Sequence, residues 1–148
     1  MLSPGLLTHL VREAGDAARA GDVDDVAATV GELTARGDLL DVLSACQEFA
    51  CTAVRALLAL YGPPNAAQGE AWVLDDLGDA EGQPERLFAA RLVTAHANGD
   101  QDAVTALVVA ACRAARCERS GSLRELVTYA AGLNARAAQK DQHERDEG

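Results

Sequence analysis

The chain has 148 residues, enough for one domain with its own core, and 49% of them are hydrophobic, which separates it from disordered sequences. A net charge of −10 repels phosphate backbones, so generic nucleic-acid binding is disfavoured. No uninterrupted apolar run reaches the roughly 18 residues of a membrane span, and no basic segment leads into an apolar run with a cleavage site. A cytoplasmic protein with no membrane association and with four reduced cysteines is the expectation.

Alanine dominates the apolar fraction and only five residues are aromatic. Alanine loses no side-chain entropy in a helix, and no β-branched run with period 2 is present, so the fold class is all-α. Ser3-Pro4 reads as N-cap and first helical residue, followed by Leu6, Leu7, Leu10, Val11, Ala14, Ala17 and Ala18 at helical spacing. Gly21-Asp22 ends helix one and caps helix two, which carries Val23, Val26, Ala27, Val30 and Leu33. Gly37-Asp38 repeats the device. Helix three runs to about Tyr61, where Gly62-Pro63-Pro64 stops it, and is expected to be the longest.

Residues 62–83 form an acidic connector with a short helix around Trp72. Gln83-Pro84 opens helix four, with Leu87, Phe88, Leu92 and Ala95 inward. Gly99-Asp100 turns into helix five, with Val104, Leu107, Val108 and Ala111 inward. Gly121-Ser122, with Glu125 three residues on, reads as a capping box for helix six, with Leu123, Leu126, Val127, Ala130 and Leu133 inward. The tail 139–148 is polar and expected to fray. The six main helices thus form two similar three-helix units, 3–61 and 84–138, within a single domain.

Gly21-Asp-Val-Asp-Asp-Val26 parallels Gly99-Asp-Gln-Asp-Ala-Val104, with a third copy from Gly37 to Val42. This turn resembles the one between the two helices of a tetratricopeptide repeat. The likeness covers about twelve residues at three places. Copy spacings of 16 and 62 depart from that family's period, and its other consensus positions are unmatched. The resemblance implies a protein-binding scaffold.

Three constellations could carry chemistry. Asp75-Asp76-Leu77-Gly78-Asp79 has the form of a DDxxD clamp for Mg²⁺ and diphosphate, as in all-α prenyl-diphosphate enzymes, but no second acidic motif accompanies it and Gly78 interrupts the helix. Asp22 with Asp25, and Asp38 with Asp41, resemble the paired acids of all-α nucleotide pyrophosphohydrolases. Each pair also falls on N-cap and N3, where an acid accepts orphan N–H bonds. The cysteines give two C-x4-C segments, Cys46 with Cys51 and Cys112 with Cys117. Four thiolates can hold zinc or an iron–sulfur cluster, yet i and i+5 on one helix differ by about 140°, so one helix does not aim both sulfurs at one ion. The wheel buries Cys46 and leaves Cys51 on a polar stripe. Cys117 is placed at a helix C-terminus among Arg113, Arg116 and Arg119, which either lower its pKa or complement the helix dipole.

No metal, cofactor or catalytic residue is assigned. The expected function is a non-enzymatic adaptor or regulatory accessory that binds another protein or itself, with Trp72, Arg113, Arg116 and Arg119 as candidate contacts. Thin alanine stripes, and acidic helices one and two against Arg113, Arg116, Arg119 and Arg124, favour a homo-oligomer. The alternatives are a cysteine-based metal or redox sensor and a small Mg²⁺-dependent hydrolase.

Overall fold

The computed structural model describes residues 1–63 and 83–147. They form six helices: α1 Pro4–Ala20, α2 Val23–Arg36, α3 Leu39–Tyr61, α4 Pro84–Ala97, α5 Gln101–Arg113 and α6 Arg116–Glu147. Among the described residues there is no strand. The connector helix around Trp72 falls outside the described residues.

The caps explain where most helices begin. Ser3 Oγ accepts from the Leu6 N–H at 3.2 Å. Asp22 accepts from Asp25 N–H and Asp100 from Ala103 N–H, both at 3.1 Å. Gly21 and Gly99 take the left-handed conformation, at φ 73° and 74°, that reverses the chain in one or two residues. Gly37 is different. Its backbone is extended, but a Cβ there would lie 2.6 Å from the Leu33 carbonyl oxygen and 3.1 Å from Asp41 Cβ. Glycine is required at 37 by close approach, not by handedness.

Asp38 and Asp41 make a reciprocal capping box, and Asp41 also accepts the Leu2 N–H at 2.8 Å. Asp41 is therefore buried rather than on an exposed polar face. The Leu2 and Asp38 N–H groups hold its carboxyl below the usual aspartate value.

α6 departs most from expectation. It begins at Arg116, runs unbroken through Gly121-Ser122 and has 32 residues against the 23 of α3. The capping-box pattern is overridden. Ser120 Oγ meets Thr34 Oγ1 at 3.0 Å, and Leu123 and Leu126 are fully buried, which offsets the roughly 1 kcal/mol that a mid-helix glycine costs. The turn between α5 and α6 falls instead at Ala114 and Ala115. The polar segment expected to fray is helical to Glu147. Lys140, the only lysine, donates to the Leu60 and Ala59 carbonyls at the end of α3, at 2.8 and 3.3 Å.

α6 touches all five other helices, and so does α3. Both halves repeat the helix, Gly-Asp, helix plan, but α6 packs against α1, α2 and α3 as well as α4 and α5, so the halves share one core. By length and composition alone α3 could cross a membrane; here it is the helix at the centre of the bundle.

Two outcomes follow. Gly37→Ala should lose about 1–3 kcal/mol by overpacking against backbone. Gly121→Ala should match or exceed the parent in a denaturant melt, because its Cβ meets only the flexible end of Glu85 and a helix interior prefers alanine. A loss at Gly121 as large as that at Gly37 would contradict a continuous α6. The second outcome concerns pH. Asp41 has a lowered folded pKa, so its contribution is complete above the unfolded aspartate pKa and disappears as pH falls through the folded one. In thermal melts, the parent should lose stability below about pH 4, whereas Asp41→Asn should start less stable and show a shallower decline.

Candidate functional site

A groove of about 540 Å³ lies between α1, α3 and α6. α1 brings Leu7, Thr8, Val11, Arg12, Gly15 and Arg19 to one wall, α3 contributes Ser44, Gln47, Glu48, Phe49 and Thr52, and α6 contributes Val127, Ala130, Ala131 and Asn134. α1 can serve core and groove together because its apolar stripe is wide. Leu10, Ala14 and Ala17 are buried, while Leu7 and Val11 lie on the flank.

The floor is apolar and the rim is charged. Phe49, Val127, Ala130 and Ala131 form the floor, and each is less than a tenth exposed, so the walls shield it. Small side chains at Gly15, Ala130 and Ala131 leave the slot empty. On the rim, Arg12 and Arg19 are seven residues apart, hence on one face of α1 and about 10.5 Å apart along it. Arg19 pairs with Asp16, whereas Arg12 has no partner among the described residues. Glu48 stands on the α3 side. The groove thus has a cationic wall and an anionic one.

Among the described residues, those singled out from sequence do not converge on one site. Trp72 and the acidic segment 75–79 lie outside the described residues. Arg113 is exposed at the end of α5. Arg119 is turned inward: its guanidinium donates to the Cys112 carbonyl, complementing the α5 C-terminus, and its Nε is buried without a partner among the described residues. Arg116 opens α6, and Cys117 follows it in the first turn, not at a helix C-terminus.

The second C-x4-C is therefore split across two helices, Cys112 on α5 and Cys117 on α6. The first lies on α3, with Cys46 fully buried, as the wheel required, and Cys51 half-buried rather than on an open polar stripe. Burial, reinforced by Cys112, pushes the Cys46 thiol up to about 12. Cys112 is also raised by burial, against the opposing pull of Arg119. Among the described residues no three His, Cys, Asp or Glu side chains converge as metal ligands. The acidic pairs Asp22–Asp25 and Asp38–Asp41 act as helix caps.

Comparison with family models, with curated proteins and with solved structures found no match to the chain.

The groove is not legible in the sequence because it depends on how three helices converge. The one local signal was the Arg12–Arg19 pair at i, i+7. For the thiols the outcome is direct. Cys46 should resist a thiol-specific reagent in the native protein and react only on unfolding, whereas half-buried Cys51 should react in the native protein. Rapid native labelling of Cys46, mapped by mass spectrometry, would contradict its burial.

Proposed function

We propose that this chain is a non-enzymatic helical interaction protein, an adaptor or regulatory accessory whose work is to bind another protein. The observation that carries the reading is the groove: shielded and apolar at its floor, oppositely charged on its two rims, and without a paired nucleophile and base along it. Its width and charge suit recognition more than bond making. The Gly-Asp hairpins, similar to tetratricopeptide turns, point the same way.

A cytoplasmic setting fits the reading, since it keeps the thiols reduced. Self-association remains part of it, although α3, whose apolar surface suggested an interface, is already packed against all five other helices of its own chain.

The test is reconstitution. A tagged chain is crosslinked in its native host, the captured protein is identified, and the two are purified separately and mixed. A stoichiometric complex by light scattering supports the reading. Failure to reconstitute with any captured protein, together with about one zinc or iron per chain after chelator-free purification, would replace it with the cysteine-based sensor. A monomer mass across a dilution series would remove the homo-oligomer and leave only a distinct partner.

A further inference from the structure

We propose that the α1–α3–α6 groove receives an amphipathic helix of a different protein, inserting a row of apolar side chains at i, i+4 and i+7 and setting acidic residues against Arg12 and Arg19. This rests on the protein-binding reading above and assigns its site and the chemistry of its partner.

Dimensions select the occupant. Leu7 to Arg19 spans about 18 Å of α1, while the α3 and α6 walls run about 10–12 Å. An occupant of two to three helical turns matches that length. The floor is shielded, so a whole helix cannot lie on it, but side chains can reach between the walls. A volume of about 540 Å³ accommodates a short row of leucine-sized groups. Apolar anchors at i, i+4 and i+7 are how a helix reads such a slot.

Charge selects the sign. The chain as a whole carries −10, yet the α1 rim presents two guanidinium groups, one of them unpartnered among the described residues. An acidic flank spaced at i, i+7 meets both, since they share one face of α1. Glu48 across the slot disfavours acid on the other flank and so sets which way the helix lies.

A second copy fits less well. The exposed large apolar residues of the described chain are Met1, Val23, Leu39, Leu40, Leu58 and Tyr61. All lie in or beyond the first or last turn of a helix, so none of the described helices offers a free apolar row to insert.

The experiment uses the full chain and two labelled synthetic helical peptides of about twelve residues. Both carry leucine at i, i+4 and i+7; one has glutamate on the flank, the other lysine. Fluorescence anisotropy should show the glutamate peptide binding, and the lysine peptide about tenfold weaker or more. Gly15→Leu should abolish binding without loss of fold, because nothing lies within 4 Å of a Cβ at that position and leucine fills the slot. Arg12→Glu, an exposed change that leaves the core untouched, should reverse the order of the two peptides. Equal binding of both peptides, or unchanged binding by a folded Gly15→Leu, would overturn the proposal. Saturable binding of sodium decanoate with no saturable binding of either peptide would overturn it in favour of a small amphiphile, and a dimer that Gly15→Leu dissociates would overturn it in favour of a second copy. If a partner reconstitutes as described above yet Gly15→Leu still holds it, only this groove assignment fails. If no partner reconstitutes, the broader reading fails with it.

Discussion

Burial of the apolar row on α6, Leu123, Leu126, Val127, Ala130 and Leu133, is the interaction that joins the first hairpin of the bundle to the second. α1 and α2 pack on each other, and α4 and α5 do the same, but neither pair touches the other among the described residues. Only α3 and α6 reach both. The N-terminal end of α6 is fixed near the end of α2 by Thr34 and Ser120, and its far part to the end of α3 by Arg136 with Tyr61 and by Lys140. These contacts set α3 and α6 side by side in the same direction, and the four shorter helices fill the flanks.

The small side chains of this core have two consequences. Ala45, Ala50, Ala53 and Ala56 let neighbours approach α3 closely, so most of its length is covered without bulky residues. Each alanine buries little area, so stability relies on many thin contacts. Where small residues face an unfilled space, as at Gly15, Ala130 and Ala131, the same economy of side chain leaves an open slot. Close packing and the groove are two results of one composition.

Acidic residues divide by position. Asp22, Asp38 and Asp100 are caps, stabilised by N–H groups that would otherwise lack partners. Asp41 goes further and ties the Leu2 backbone to the start of α3. With these carboxylates engaged as caps, the charge left to act on a partner near the groove is mostly that of Arg12, Arg19 and Glu48. Arg119 has been drawn into the α5 terminus, so it does not join the exposed Arg113 in an open basic patch.

Local sequence chemistry sets the helical class, the starts of α1 to α5 and most of the core rows. Caps and apolar periodicity are local: Ser3-Pro4, Gly21-Asp22, Gly37-Asp38 and Gly99-Asp100 act on backbone groups within a few residues. It also identified Cys46 as buried, from its place on the α3 wheel. The other features depend on packing between helices. The break between α5 and α6 falls at Ala114 and Ala115, two residues with every local reason to be helical, while Gly121-Ser122, with a local reason to begin a helix, lies inside one. Contacts from α2 and α4 and the burial of Leu123 outweigh both preferences. The same shift moved Cys117 from a helix end to a helix start. The groove lay beyond local reading for the same reason: it is the gap left between three helices, and a gap depends on how they meet rather than on any one of them.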